Sequence, residues 1–223
     1  MNVLEAYARG SVPFMGIEVG VAPGALVPRP ETELLGRTAL AAIGGMGVAA
    51  PRVIDMCCGS GNLACGIAHG LPAAAVWAAD LTSECVELAH GNARRLGLAD
   101  RVHVRQGDLF GALSGLALEG TIDAVVCNPP YISCGRLEGD RAHLLEHEPR
   151  AAFDGGPYGL AVQQRVVNEA RDFLRPGGIL MFEMGLGQER QMRVLFTRAG
   201  AYDGVSMVAD EAGNPRVAWC RRR

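Results

Sequence analysis

The sequence predicts an α/β fold in which a doubly wound, mostly parallel sheet of seven strands ends in an antiparallel hairpin. From about residue 50 onward, short apolar runs alternate with helical patterns, which is typical of parallel sheets. Glycine or polar residues stand directly after four successive apolar runs. The last two β patterns flank the turn sequence EAGNP, and such a turn favours a closing hairpin.

The first 45 residues are expected to form a hairpin and helix segment that closes the site, ahead of a main domain over residues 46–223. A hairpin-like pattern covers residues 13–21. A helical pattern begins at about Pro30, since proline is well placed as the first residue of a helix. The total of 223 residues is enough for one sizeable α/β core.

The main domain begins with apolar runs that we expect to be parallel strands, at residues 52–58, 74–80, 101–108, 122–128 and 178–184. Helical patterns lie at about residues 62–69, 83–96, 160–174 and 188–199. The sequence Pro176-Gly177-Gly178 is expected to end the third of these helices. A long loop covers residues 129–157, and the hairpin strands lie near 204–210 and 215–221.

The composition excludes several classes of protein. The net charge of −3 gives no electrostatic reason to expect a nucleic-acid or anionic membrane partner. No apolar stretch reaches the roughly 18 residues of a membrane span, and the N-terminus lacks the plan of a signal peptide. Of seven cysteines, four lie in apolar patterns, which favours buried free thiols in the cytoplasm: Cys57, Cys58, Cys65 and Cys127. The sequence does not indicate an oligomeric state.

Residues able to contact a nucleotide follow the first four parallel strands, where open α/β sheets bind ligands. Asp55 and the turn Gly59-Ser60-Gly61 follow the first strand, and the glycines let the backbone approach a ligand. Asp80 is placed to hold the two hydroxyls of a ribose, and Asp108 to accept from an adenine amino group beside Leu109. The turn fits a dinucleotide fingerprint with alanine in its third position, but no other strand end resembles a nicotinamide site.

The fourth strand runs into CNPPY at residues 127–131, where two prolines forbid a helix and stiffen the turn. With this motif the chain resembles the class I S-adenosylmethionine-dependent methyltransferases, and within them the release-factor glutamine N5-methyltransferase family. The motifs that carry the resemblance are VPRPETELL (27–35), DMCCGSGNLA (55–64), AADLTSECVELAHGNARRLG (78–97), GDLF (107–110), CNPPYI (127–132) and EPRAAFDGGPYGL (148–160).

The resemblance implies a Rossmann-like fold, S-adenosyl-L-methionine as cofactor and methyl transfer to nitrogen. The catalytic residues it implies are Asn128, Pro129, Pro130 and Tyr131. The cofactor-binding residues are Asp55, Cys57, Cys58, Gly59, Ser60, Gly61, Asp80, Leu81, Asp108, Leu109 and Asn128. The substrate-binding residues are Asn128, Pro129, Tyr131, Arg29 and Glu31. No metal site is implied.

The expected chemistry of the turn is a clamp on a planar nitrogen. The side-chain oxygen of Asn128 and the carbonyl of Pro129 can accept the two N–H bonds of an amide or aryl amine. This orients the nitrogen toward the methyl donor, because direct displacement depends mainly on alignment. Tyr131 can pack over the acceptor group.

Departures from the family pattern leave the acceptor open. The family carries an N-terminal helical domain that helps to recognise the release factor, and we expect this domain to be lacking because about a dozen residues precede PFMGIEVG. Tyr158 and Ala161 stand where the family usually has acidic residues, and Cys57-Cys58 where it has glycine and a small residue. We therefore predict a small-molecule acceptor with a planar or weakly basic nitrogen, in a specialised pathway.

Three alternatives remain. The first is a protein glutamine N5-methyltransferase that acts on a peptide chain release factor. The second is an amino-methyltransferase of nucleic acid, and the third an inactive subunit that binds the cofactor. A separate motif, HLLEH at residues 143–147, matches an inverted zinc-protease pattern but lies within the long loop, so we expect a short helix over the acceptor instead.

Overall fold

Seven helices and nine strands make up the computed structural model, which describes residues 2–223. The helices are α1 (Val3–Arg9), α2 (Thr32–Gly44), α3 (Asn62–Gly70), α4 (Ser83–Arg95), α5 (Cys134–Glu138), α6 (Ala161–Phe173) and α7 (Glu189–Ala199). The strands are β1 (Ser11–Phe14), β2 (Ile17–Gly20), β3 (Arg52–Met56), β4 (Ala75–Asp80), β5 (Val102–Gln106), β6 (Ile122–Cys127), β7 (Leu174–Glu183), β8 (Ser206–Ala209) and β9 (Pro215–Arg221).

Seven strands form the central sheet in the order β5-β4-β3-β6-β7-β9-β8. The pairs from β5 to β7 are parallel, whereas β9 pairs antiparallel with both β7 and β8. The predicted doubly wound sheet with a C-terminal antiparallel hairpin is therefore confirmed. The strand order reverses between β3 and β6, and this switch point is where such sheets form a ligand crevice.

Two apolar cores cover the two faces of the sheet. Helices α2, α3 and α4 supply one core, which includes Leu35, Ile43 and Leu63. Helices α6 and α7 supply the other, where the rings of Phe182 and Phe196 lie 6.0 Å apart. Every residue of β6 is buried, as expected for a central strand with helices on both sides.

The N-terminal hairpin of β1 and β2 packs on α3 and α4, and one buried side chain fixes it there. Asn92 on α4 accepts from the Gly20 amide at 2.7 Å and donates to the Gly20 carbonyl at 3.0 Å. The same amide group donates to the Ser60 carbonyl at 2.8 Å. Asn92 therefore joins the hairpin to the glycine turn that follows β3.

Several element boundaries differ from the sequence prediction. Helix α1 was not predicted, although Asn2 and Glu5 form a capping box at its start. Helix α2 begins at Thr32, and Pro30 lies in the turn before it, where its carbonyl accepts from the Glu33 amide. Strand β7 begins at Leu174, so the predicted helix terminator Pro176-Gly177-Gly178 lies inside an irregular strand start.

The predicted long loop contains α5 and two 3-10 turns, Ala142–Glu146 and Arg150–Ala152. The HLLEH motif forms the first of these turns in place of the expected helix. Within residues 2–223, no helix combines the length and the apolar character needed to cross a membrane.

Candidate active site

A cavity of about 270 Å³ lies beyond the carboxyl ends of the strands at the switch point. The structure brings together in its walls most of the residues predicted to bind the cofactor. These are Cys57, Cys58, Gly59, Asp80, Leu81, Asp108, Leu109 and Asn128. Three predicted residues, Asp55, Ser60 and Gly61, are not among those that line it. Pro130 also lines this cavity, on the side of the NPPY turn.

The carboxylate of Asp80 organises the floor of this cavity. One oxygen accepts from the Gly59 amide at 2.8 Å, and the other accepts from the Thr82 amide at 3.2 Å. An ionised carboxylate has about four acceptor positions, so two remain for a ligand. A Cβ built on Gly59 would meet nothing within 4 Å, which leaves the space in front of the turn free.

Two residues of the cavity wall have left-handed backbone conformations that side chains rarely adopt. Cys57 has φ +59°, and Leu109 has φ +48°. Glycine adopts this region without strain, whereas a side chain at Cβ crowds the backbone there. Such conformations cluster at ligand sites, since the surrounding structure must hold them in place. Cys57 is half-buried, unlike the fully buried Cys58, Cys65 and Cys127.

Asp108 lies at the rim of the cavity, and Arg165 on α6 holds it. The guanidinium of Arg165 donates to both carboxylate oxygens, at 2.8 Å and 3.0 Å. The Asp108 side chain is 61% exposed, so solvent screens this pair. An adenine amino group at Asp108 would therefore share the carboxylate with Arg165.

Asp55 lies directly behind the glycine turn and is fully buried. Its Oδ2 accepts from the Ala64 amide at 2.9 Å, while Oδ1 has no hydrogen-bond partner among residues 2–223. Burial raises the pKa of Asp55 to about 8, and the nearby Asp80 charge adds to that rise. This rise favours the protonated carboxyl near neutral pH.

Asp55→Asn is expected to change how stability depends on pH. Since the pKa of Asp55 is about 8 in the folded chain and about 4 when unfolded, its stabilising contribution is complete below about pH 4. That contribution is lost progressively as the pH rises to about 8. The free energy of unfolding of the variant, relative to the original chain, should therefore rise with pH in urea titrations. Parallel curves, as expected for the exposed control Asp100→Asn, would contradict the raised pKa of Asp55.

A second cavity, of about 590 Å³, lies on the other side of the NPPY turn. Its lining includes all five residues predicted to contact the substrate. These are Arg29, Glu31, Asn128, Pro129 and Tyr131. Arg29 and Asn128 line both cavities, so the side chain of Asn128 stands where the two meet. A side chain that orients a methyl acceptor toward a methyl donor would have to stand at such a junction.

A buried chain of hydrogen bonds holds the side chain of Asn128. Its Nδ2 donates to Thr32 Oγ1 at 3.1 Å, and Thr32 Oγ1 donates to Glu183 Oε2 at 2.7 Å. Thr32 and Glu183 are 1% and 2% exposed. No sequence motif pointed to the pairing of Thr32 with Glu183, because 151 residues separate them.

Two acceptor oxygens of the NPPY turn remain free. Among residues 2–223, no donor contacts the Asn128 side-chain oxygen or the Pro129 carbonyl. Tyr131 lines the second cavity, and its hydroxyl donates to Glu183 Oε1 at 3.2 Å. Burial raises the pKa of Tyr131, and the Glu183 charge adds to this. The phenol therefore stays protonated in the physiological range and can donate to Glu183.

The glycine-rich segment after the loop supports the NPPY turn from behind. A Cβ on Gly155 would lie 2.7 Å from the Pro130 carbonyl oxygen, and a Cβ on Gly159 would lie 2.4 Å from that of Tyr131. The amide of Gln188 donates to the Tyr131 and Gly159 carbonyls at 3.0 Å and 3.1 Å. The shape of the turn therefore depends on glycine at both positions.

Arg29 bridges the N-terminal segment to the long loop. Its guanidinium pairs with Glu148, whose other oxygen accepts from the Val27 amide at 2.9 Å. The Glu148 side chain is only 2% exposed. Glu31 lines the second cavity and is exposed to solvent. Leu144, from the HLLEH turn, lines the same cavity.

Comparison with known proteins agrees with this geometry. A family model described as a methyltransferase domain matches residues 49–195. The chain is 38% identical to the release factor glutamine methyltransferase of Moorella thermoacetica, over 97% of this chain and 74% of that protein. The chain belongs to the class I S-adenosylmethionine-dependent methyltransferases. Within this class, the methyltransferase resembles the release-factor glutamine methyltransferases.

Two further relatives of the methyltransferase differ in their acceptors. A 4-amino-L-phenylalanine/4-methylamino-L-phenylalanine methyltransferase of Streptomyces pristinaespiralis is 37% identical, over 88% of this chain and 66% of that protein. The crystal structure of a release factor-specific protein-(glutamine-N5) methyltransferase from Alicyclobacillus acidocaldarius is 26% identical, with a TM-score of 0.52. That comparison covers 91% of this chain and 98% of that one.

The residues of the first cavity fit the cofactor that the family uses. The free carboxylate positions of Asp80 suit ribose hydroxyls, and the open space before Gly59 lets a ligand approach the backbone. Leu81 and Leu109 supply apolar surface for a ring, and Asp108 lies beside Leu109. With this cofactor bound, the first cavity would be the donor cavity, and the second, which meets it at Asn128, would be the acceptor cavity.

Proposed function

We propose that this methyltransferase methylates the side-chain amide nitrogen of a glutamine in a peptide chain release factor. The observation that carries the proposal is the pair of free oxygens, Asn128 Oδ1 and the Pro129 carbonyl, at the acceptor cavity. A primary amide presents two N–H donors, and two acceptors match it. The release factor glutamine methyltransferase of Moorella thermoacetica supports this acceptor over the small molecule favoured by the sequence alone.

In the proposed reaction the chain's own residues position the acceptor. S-adenosylmethionine would supply the methyl group: its S–CH₃ bond breaks as the N–CH₃ bond forms, S-adenosylhomocysteine leaves, and the acceptor nitrogen loses one proton to water. Asn128 and Pro129 accept the two N–H bonds, which fixes the nitrogen plane and stabilises the positive charge that develops on nitrogen. The proline rings keep both oxygens in place before the acceptor arrives, so little ordering is needed in the reaction.

The proposal also covers the residues that bind the cofactor and the acceptor, and the cellular compartment of the enzyme. Asp80, the glycine turn, Leu81, Asp108 and Leu109 hold the cofactor, and Arg29, Glu31 and Tyr131 form the acceptor rim. The segment 1–45 closes both cavities, which is supported by the contacts of Val27 and Arg29 with Glu148. The seven free cysteines support a place in the reducing cytoplasm.

A small molecule with an aryl amine is the second candidate acceptor. It is favoured by the Streptomyces pristinaespiralis relative, whose printed substrates are amino-substituted phenylalanines. The acceptor cavity of about 590 Å³ lies within the usual range of about 300–1,000 Å³ for small-molecule sites. The same two oxygens of the NPPY turn would accept the N–H bonds of an aryl amine.

The two acceptors can be separated with methyl-labelled S-adenosylmethionine. Purified bacterial release factor and a small-molecule extract are offered to the enzyme separately and then together. The glutamine proposal predicts rapid labelling of the release factor, up to one methyl group per molecule, at a glutamine located by tandem mass spectrometry. A release factor in which that glutamine is replaced by alanine serves as the control and should remain unlabelled.

Label that enters only the small-molecule fraction would contradict the glutamine proposal and support the aryl amine candidate. Label at release-factor side chains other than glutamine would contradict both. The enzyme without added acceptor measures background hydrolysis and self-labelling, which are subtracted in each case.

A further inference from the structure

The hydrogen-bond chain from Asn128 through Thr32 to Glu183 has only one consistent direction. Three donors face the Glu183 carboxylate: the Thr32 hydroxyl, the Tyr131 hydroxyl at 3.2 Å and the Arg216 guanidinium at 3.6 Å. Burial raises the pKa of Glu183, and the Thr32 and Tyr131 hydroxyls and the Arg216 charge oppose that rise. These three contacts favour the ionised carboxylate, which only accepts, so the single proton of the Thr32 hydroxyl is directed to it. The Thr32 oxygen then has only lone pairs left for Asn128.

This direction decides which end of the Asn128 amide faces the acceptor. An amide presents a donor nitrogen and an acceptor oxygen that are almost alike in size, so packing alone hardly distinguishes the two orientations. With its lone pairs aimed at Asn128, Thr32 can bind only the amide nitrogen. The Asn128 oxygen is consequently turned toward the cavity. In the opposite orientation an N–H would meet the N–H of the acceptor.

We propose that Thr32, held by Glu183, is a positioning residue that sets the orientation of the Asn128 amide. It thereby keeps the Asn128 oxygen turned toward the cavity, where it can accept a hydrogen bond from the substrate. This inference rests on the proposed transfer to an N–H-bearing nitrogen. Thr32 also lines the first cavity, but in this role it acts through Asn128. The hydroxyl is almost fully buried, so water does not substitute for it.

Kinetics of three variants test the role of the hydroxyl. Thr32→Val keeps the shape but removes the hydroxyl, and it should lower kcat by up to about 10²-fold with little change in cofactor affinity. Thr32→Ser restores the hydroxyl and should return kcat to within about threefold of the original. The control is Thr38→Val on the same helix, whose lost hydroxyl donates only to the Leu34 carbonyl at 2.7 Å. This variant should retain full kcat.

A double-mutant cycle shows whether Thr32 acts through Asn128. If it does, Thr32→Val should cost little in an Asn128→Ala background, because the group that it orients has been removed. Equal losses in both backgrounds would overturn the proposal, since the hydroxyl would then have an independent effect. Failure of Thr32→Ser to restore kcat would also overturn it.

An acceptor-independent measurement separates this inference from the proposed function. In nuclear magnetic resonance spectra of the ¹⁵N-labelled enzyme, the Asn128 side-chain amide is assigned by its loss in Asn128→Ala. One of its protons should exchange slowly with water in the original chain and in Thr32→Ser, and at least tenfold faster in Thr32→Val. Unchanged exchange in Thr32→Val would overturn the positioning role. If the enzyme fails to label the release factor while this pattern holds, the proposed substrate fails and the positioning role stands.

Discussion

Asn128→Ala is expected to lower the turnover of the methyltransferase by about 10²-fold or more, as does loss of one preorganised polar contact in other enzymes. The side chain stands between the two cavities, and in the proposed reaction its free oxygen is one of two acceptors for the substrate N–H bonds. Cofactor affinity should fall much less, by no more than about threefold, because the floor of the donor cavity is built by Asp80 and the glycine turn.

Single-turnover rates and calorimetric titration with S-adenosylmethionine measure these two effects separately. Asn214→Ala, the same substitution in the turn between β8 and β9 at a residue that lines neither cavity, is the matched control and should change neither quantity. Equal losses of rate and cofactor affinity in Asn128→Ala would show that Asn128 is a structural contact of the cofactor and not an acceptor clamp.

Asp80→Ala is expected to weaken cofactor binding by about 10- to 100-fold, which corresponds to losing a charge-assisted hydrogen bond of about 1.5–3 kcal/mol. The substitution also removes the acceptor of the Gly59 and Thr82 amides, so the glycine turn loses its fixed geometry. In the original chain, S-adenosylmethionine at 100 times its dissociation constant should raise the free energy of unfolding by about 2.7 kcal/mol.

Calorimetry and thermal unfolding with and without cofactor measure the effect of Asp80→Ala. Asp80→Asn keeps an oxygen for the Gly59 amide but lacks the charge, and it should bind the cofactor with intermediate affinity. The matched control is Asp100→Ala at an exposed position before β5, which should bind normally. Unchanged affinity in Asp80→Ala would show that the cofactor lies elsewhere.

The fold was largely predictable because the apolar runs of the central strands and the helical patterns between them are strong local signals. Boundaries were harder where local signals conflict. Pro176 and two glycines indicate a turn, yet Leu174 already pairs with Ile122, and the strand tolerates the interruption through a register shift. Helix α1 had a readable capping pattern at Asn2 and Glu5, but it is only seven residues long.

The site residues that stand at the ends of strands were predictable from the sequence. The contacts between residues far apart in the sequence were not. Asp80, Leu109 and Asn128 meet at the donor cavity because parallel strands end at one edge of the sheet. Glu183 also ends a strand and Thr32 lies in the motif VPRPETELL, but neither position indicates the pairing of the two, because 151 residues separate them. Their role emerges only when the fold brings the start of α2 against the end of β7.

The choice of acceptor depended on features that lie outside the motifs. The short N-terminal segment and the altered residues near Tyr158 favoured a small molecule when the sequence was considered alone. Tyr158 is 85% exposed, so its replacement of an acidic residue changes the surface and not the clamp. The relatives that span nearly the whole chain instead support a protein acceptor.

The buried side chain of Asn92 links the N-terminal hairpin to the glycine turn. Because one amide group bonds to both Gly20 and Ser60, we expect the local unfolding equilibrium of the hairpin to be coupled to that of the turn. A ligand that binds the turn shifts that equilibrium toward the closed form. Protease resistance of the hairpin, about seventy residues away in the chain from Asn92, thereby becomes a measure of how fully the donor cavity is occupied.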